Sequence, residues 1–208
     1  MRGGWCPIGL SQDLPAGIAA PVILDGRELV AWRTGEGVLR LFEDRCPHRG
    51  MRLSFGFVRG DALVCLYHGW RWGADGGCRA IPAHPELTPP KSLVVPRFAV
   101  REAGGLVWAA LGDGPDDPPP ETPADVRPLA TLAIDLPADV VSAALGAGEE
   151  RLVEKEEAGF ALLLAIQPVD ARRSSLHVLL RGADASPLAA LDAAEALRMR
   201  IEREGAPA

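Results

Sequence analysis

Aromatic residues are scarce in this chain: phenylalanine, tryptophan and tyrosine make up 5% of 208 residues, and there is a single tyrosine. No run approaches the ~20 apolar residues of a membrane span, so no membrane insertion is expected. Basic residues are also in deficit, with 22 Lys and Arg against 28 Asp and Glu for a net charge of -6. That balance excludes the basic footprint of a nucleic-acid binder. The first residues, Met-Arg-Gly-Gly-Trp-Cys-Pro, lack the apolar run and cleavage site of a secretory leader, and a cytoplasmic protein is expected. What the chain does have is 48% hydrophobic residues, enough to bury a core and to exclude wholesale disorder. Its length fits one large or two small domains.

Composition changes near residue 115. Residues 1–115 hold 13 Lys and Arg against 11 Asp and Glu, and the remainder 9 against 17, so the acidity belongs to the second half. All four Cys, all five Trp, the Tyr and four of five Phe lie in the first half, which is therefore expected to carry the chemistry. Residues 112–123 read Gly-Asp-Gly-Pro-Asp-Asp-Pro-Pro-Pro-Glu-Thr-Pro, a composition that favours extended, semi-rigid chain. The expected organisation is a domain over 1–112, a Pro/Asp-rich linker over 113–128 and a small α+β domain over 129–208.

Short apolar runs punctuated by turn residues predict an all-β first half. Strands are expected at Pro21 to Leu24, Glu28 to Arg33 and Val38 to Glu43, joined by Asp25-Gly26 and Gly35-Glu36-Gly37 as hairpins. Further strands are expected at Ala62 to Tyr67, Cys78 to Ile81, Arg97 to Val100 and Leu106 to Leu111.

Two loops break this pattern. One is Cys46-Pro47-His48-Arg49-Gly50 and the other Cys65-Leu66-Tyr67-His68-Gly69-Trp70, so the spacing is Cys-x-His, sixteen residues, Cys-x-x-His. Two thiolates and two imidazoles suit structural zinc. They equally suit a Rieske [2Fe-2S] centre, in which two histidines replace two cysteines on one iron. A Cys-x-His loop is unusual for a zinc finger, and the glycine after each histidine permits a tight turn around a bulky cluster, which favours the second reading.

With Tyr67-His68-Gly69-Trp70 after the first loop, the set resembles the Rieske domain of Rieske non-haem iron oxygenases of the ring-hydroxylating type. The likeness runs over about residues 5–112 and includes Leu53-Ser54, Gly56, Gly77-Cys78, Ile81-Pro82 and Gly105-Leu106-Val107-Trp108. It implies antiparallel sheets with a two-loop cluster-binding subdomain, with Cys46 and Cys65 on one iron and His48 and His68 on the other. Respiratory-complex Rieske proteins carry a disulfide between the loops, and the matching positions here are Met51 and Tyr67. A reducing compartment and a potential at the low end of roughly -150 to +300 mV are the corresponding expectations. Cys6 and Cys78 have no neighbouring His and are read as buried structural thiols. Of the alternating Trp70 and Trp72, one is expected to shield the cluster and the other to pack on the sheet. Arg45, Arg49, Arg52, Arg59 and Arg71 surround the loops, either as solvated surface or as a collar that steers an acidic donor.

An oxygenase of this family also needs two His and a carboxylate on a mononuclear iron. The second half contains one histidine, His177, and the other spare histidine, His84, lies in a proline-bounded loop, so no mononuclear iron is expected in this chain. Expected elements of the second half are strands at Thr131 to Leu136, Arg151 to Glu156, Gly159 to Gln167 and Ser174 to Arg181. A short helix is expected at Ala138 to Leu145, and Gly182 to Ser186 should turn the chain into an amphipathic helix that Ser186-Pro187 opens and that runs to about Glu204. This resembles a truncated helix-grip catalytic domain, reduced to a docking or assembly module. The acidic run Glu149, Glu150, Glu154, Glu156 and Glu157 reads as a solvated surface or a contact for a basic partner.

Three functions accommodate these features. The first is an electron-transfer protein between a reductase or ferredoxin and an oxygenase catalytic subunit. The second is the Rieske subunit of a hetero-oligomeric oxygenase whose partner supplies the mononuclear iron. The third is a redox sensor or a degenerate structural remnant.

Overall fold

The computed structural model describes residues 4–112, 114–148, 150–183 and 185–205. Asp113 of the linker, Glu149 of the acidic run and Asp184 of the turn before the last helix lie outside them. Among the described residues the first half forms β1 (Cys6–Leu10), β2 (Ala19–Leu24), β3 (Arg27–Arg33), β4 (Leu39–Glu43), β5 (Phe57–Arg59), β6 (Ala62–Val64), β7 (Arg71–Gly73), β8 (Cys78–Ala80), β9 (Ala99–Ala103) and β10 (Leu106–Ala110). The second half forms β11 (Val126–Ile134), α1 (Ala138–Leu145), β12 (Leu152–Glu157), β13 (Phe160–Pro168), β14 (Ser174–Arg181) and α2 (Pro187–Gly205). Four antiparallel sheets result, in the orders β2-β3-β4, β5-β6-β7-β8, β1-β10-β9 and β11-β14-β13-β12. The fold class is α+β, as expected.

Local chemistry explains most boundaries. At the β2–β3 hairpin, Asp25 and Gly26 both take positive φ (49° and 77°), the two-residue turn whose twist matches the flanking strands. Helix α1 ends where Gly146 adopts the left-handed conformation and donates back to Ala143 and Ser142. Several expected bounds shift, most of all the strand expected from Thr131 to Leu136, which runs from Val126 to Ile134. The strand at Ala62 stops at Val64, because Cys65 opens a turn that its N–H closes on Trp70 O, and β9 starts at Ala99 rather than Arg97, because residues 94–98 run between two sheets.

The second half is a four-stranded sheet with a filled layer on each face. Leu162, Leu164, Ile166, Leu176, Val178 and Leu180 pack under α1 and α2 with Val141, Leu197 and Ile201. Leu163, Ala165 and Leu179 point the other way and share a core with Leu10, Leu106 and Trp108 of the first half. The period-2 alternation of β13 and β14 therefore serves both faces, which makes the runs read as continuously apolar.

The two halves are also tied by backbone hydrogen bonds, Asp25 N–H to Pro168 O at 3.0 Å and Gly26 N–H to Val169 O at 2.7 Å. The connecting stretch is held too: the Trp5 indole donates to Asp117 O at 2.7 Å.

Candidate metal centre

The two ligand loops are built to one plan. Cys46 N–H donates to Met51 O (2.8 Å) and Gly50 N–H to Cys46 O (2.8 Å); Cys65 N–H donates to Trp70 O (2.9 Å) and Gly69 N–H to Cys65 O (3.0 Å). Each is a six-residue turn that opens on Cys and closes one residue past a glycine with positive φ, 74° at Gly50 and 69° at Gly69. A side chain at either glycine would be strained. Cys46 lies three residues past the end of β4, and Cys65 directly follows β6 while Trp70 directly precedes β7, so both loops rise near the ends of sheet strands.

Burial separates the two ligand types. Cys46 and Cys65 are each 2% exposed and pack with Leu53, Leu63 and Trp72, whereas His48 is half-buried and His68 lies at the surface. The two thiols are within hydrogen-bonding reach of one another and no disulfide joins them. The two imidazoles face each other with ring centroids 4.7 Å apart. Among the described residues no three His, Cys, Asp or Glu side chains converge as a mononuclear ion would require. The four ligand-type residues instead pair two and two, thiols inside and imidazoles outside, which suits a dinuclear cluster better than a single zinc.

Burial, foremost, and the adjoining Cys65 push the Cys46 thiol up to about 11, while the backbone N–H groups of His48 and Arg49 favour its thiolate. Ligation at Cys46 would therefore displace a proton. Desolvation, then the charges of His68 and Arg49, lower the pKa of His48, which favours the neutral ring that a metal needs.

An aromatic shelf and a polar anchor complete the site, and sequence pattern alone hid the anchor. Trp70 lies flat on His48, with centroids 4.2 Å apart and planes 10° off parallel, and Tyr67 leans over His68 at 3.8 Å. Trp72 is fully buried, so the expected division between a shielding and a packing tryptophan holds. The anchor is Asp44, 3% exposed, whose carboxylate accepts from Ser54 N–H at 2.7 Å and Ser54 Oγ–H at 2.6 Å. It ties the end of β4 to the short turn Leu53–Phe55 between the loops. Asp44 lies two residues before Cys46, and its partner Ser54 is ten residues along the chain, so no local pattern announced the pair.

The remaining candidates lie elsewhere. His84 is on an exposed loop with its Nδ1 3.9 Å from Glu86. His177 faces away from Leu176 and Val178, as alternation predicts, and is 1% exposed. The Gln167 amide donates to Ile23 O at 2.8 Å, which turns its oxygen toward His177 Nε2 at 2.9 Å, so Nε2 carries the proton and Nδ1 accepts from Thr131 Oγ at 2.9 Å. Burial lowers the His177 pKa to about 4. Cys6 and Cys78 are unpaired, half-buried thiols whose pKa burial raises, a shallower position than the expected one. Of the arginine collar, Arg52 pairs with Glu28 and Arg59 lies over the Phe57 ring at 5.3 Å. In the acidic run, Glu154 pairs with Arg181 at 3.0 Å and Glu157 with Arg200 at 2.6 Å.

Residues 4–98 match the Rieske [2Fe-2S] domain family, so this part of the chain is a Rieske domain, a class that holds a [2Fe-2S] cluster. The chain is 42% identical over 115 residues to the oxidoreductase NdmD of Pseudomonas putida and 41% over 115 residues to the 3-chlorobenzoate-3,4-dioxygenase oxygenase subunit of Comamonas testosteroni. Those alignments take in 55% and 54% of this chain but 20% and 26% of the relatives, so the chain spans well under half the length of the curated proteins it matches. The fold likeness reaches further. NdmA of Pseudomonas putida CBB5, as a mutant with theobromine, superposes with a TM-score of 0.77 at 20% identity over 97% of this chain and 81% of that one. The second half thus shares the fold of that structure. No helix among the described residues is long and apolar enough to cross a membrane.

Proposed function

We propose that the chain is a one-electron carrier in which Cys46 and Cys65 bind one iron of the cluster and His48 and His68 the other, and that it works between a reductase or ferredoxin and an oxygenase catalytic subunit. The observation that carries this reading is the two-and-two pairing, thiols at 2% exposure and facing imidazoles on their outer side, His48 half-buried and His68 exposed, on loops closed by the same hydrogen bonds. Such a cluster, when bound, supplies a single reversible electron and no substrate chemistry. The chain's own residues set its surroundings. Leu53, Leu63 and Trp72 exclude water from the thiol side, Trp70 fixes the plane of His48, and Asp44 through Ser54 fixes the spacing of the loops.

A self-contained oxygenase is disfavoured by the two spare histidines. Both nitrogens of His177 are engaged by Thr131 and Gln167, and His84 stands on an exposed loop. The helix-facing layer of the second half is filled by leucine, isoleucine, valine and alanine. The proposal is therefore that this chain holds no mononuclear iron and that oxygen chemistry belongs to a partner. Metal analysis of His177→Ala tests this: unchanged iron supports it, and loss of one iron per chain overturns it.

A further inference from the structure

Two adjoining depressions on the first half lead to the first loop of the candidate metal centre. A cleft of about 860 Å³ is lined by Arg40, Asp75, Arg79 and Arg97. A second depression of about 460 Å³ is lined by Glu43, Arg45, His48 and Arg49. The two share Val94 and Pro96 in their linings, so they adjoin, and we treat them as one trough whose second part reaches the His48 edge of the candidate metal centre.

Backbone bonds hold that wall in place. Glu43 N–H donates to Pro96 O at 2.9 Å, Val95 N–H to Gly76 O at 2.9 Å and Phe98 N–H to Leu41 O at 3.0 Å. The arginines are likewise placed. Arg40 donates to Ala74 O at 3.1 Å and to Leu39 O at 2.8 Å, and the stem of Arg97 lies against Gly76. Five arginines face two carboxylates here, and both carboxylates are taken: Asp75 by Arg79 at 2.9 Å and Glu43 by Arg27 at 3.2 Å. Arg40, Arg45, Arg49 and Arg97 make no ion pair among the described residues. Unneutralised guanidinium groups along a shaped trough focus a positive field, in a chain whose net charge is negative. At the midpoint Val94, 49% exposed, and Pro96 offer apolar contact.

We propose that this trough is the docking face for an acidic electron-transfer protein, whose carboxylate-bearing segment lies along Arg97, Arg40 and Arg45 and whose redox centre comes to rest against His48. The proposal builds on the one-electron reading above and adds the place and the charge of the partner. One electron leaves the partner's reduced centre for this chain, and no bond forms or breaks.

The test uses the cluster-loaded protein and an acidic plant-type [2Fe-2S] ferredoxin. Affinity for the oxidised ferredoxin is measured by calorimetry and the reduction rate by stopped flow with the reduced form, each against ionic strength. The Arg40→Glu/Arg97→Glu double variant is expected to weaken binding and slow reduction about tenfold or more at low salt, with a flattened salt dependence. Arg97→Gln should show a smaller loss in the same direction. Reduction by dithionite and the visible spectrum should be unchanged. Arg172→Glu, on the second half, should behave as wild type. If the double variant binds and is reduced like wild type while its cluster spectrum is intact, the trough is not the docking face. Equal losses in Arg172→Glu would reduce the effect to net charge and overturn the proposal too. Self-association abolished by the double variant, with ferredoxin binding untouched, would assign the trough to a second copy of the chain and contradict the proposal. A wild-type protein without a Rieske spectrum would instead overturn the reading beneath it.

Discussion

Gly56 offers a stringent test of how the second ligand loop is positioned. It follows the turn Leu53–Phe55 at φ -79°, an ordinary conformation for any residue, so its requirement is spatial. A Cβ added there would lie 2.1 Å from the carbonyl oxygen of Val64, the residue before Cys65, and 3.0 Å from that of Leu53. The backbones must separate by about 1 Å before a methyl and a carbonyl oxygen cease to overlap. A metal site tolerates displacements of roughly 0.5 Å, so the shift needed for Gly56→Ala exceeds what Cys65 can absorb. Overpacking of this kind costs about 1–3 kcal/mol or more. At roughly 2–4 °C per kcal/mol in a chain of this size, the thermal midpoint should fall by about 5–10 °C. Gly26→Ala is the control. Its φ is 77° with nothing within 4 Å, so it should cost backbone strain of about 1–2 kcal/mol and leave metal content whole. Iron and sulfide per chain on anaerobically purified variants, with thermal melts, decide the matter. Full iron in Gly56→Ala would refute the claim that close approach at Val64 sets the loop.

Asp44→Ala should orphan the Ser54 N–H and hydroxyl, cost about 2–4 kcal/mol and lower cluster retention, as read by metal content and denaturant titration. His48→Cys or His68→Cys should move the electron paramagnetic resonance spectrum toward the all-thiolate type and lower the potential; an unchanged spectrum would refute the ligand assignment. His177 should give the fold an acid sensitivity. Its folded pKa of about 4 lies below the ordinary 6.5, so the unfolded chain binds the extra proton. Its stabilising contribution is whole above pH 6.5, is lost as pH falls toward 4, and amounts to about 3 kcal/mol. His177→Gln should flatten that part of the stability–pH curve, and a curve identical to wild type would contradict the neutral buried assignment.

The parts of this molecule that could be read ahead of the structure are those encoded within a few residues. Asp25-Gly26 sets its own turn, Gly146 ends α1, and Cys46 to Gly50 and Cys65 to Gly69 contain their proposed ligands and their turn residues together. Three-residue strands such as β5 and β7 carry too little alternation to register, and β1, with Pro7 and a bulge between Pro7 and Gly9, hides its pattern. Partners distant in sequence were out of reach altogether. Nothing near His177 announces that Gln167 is aimed by the carbonyl of Ile23, 144 residues from it, or that the arginines 40, 79 and 97 line one trough. The burial of His177 follows from the sheet's outer face being covered by the first half, a fact of tertiary packing.

The central claim is that one Rieske cluster sits on Cys46, His48, Cys65 and His68. Iron and acid-labile sulfide per chain, measured with the low-temperature electron paramagnetic resonance spectrum of the dithionite-reduced protein, test it most directly. Two irons, two sulfides and a Rieske spectrum are predicted. Zinc in place of iron, or an all-thiolate spectrum, would contradict the ligand set, and a third iron per chain would contradict the assignment of oxygen chemistry to a partner.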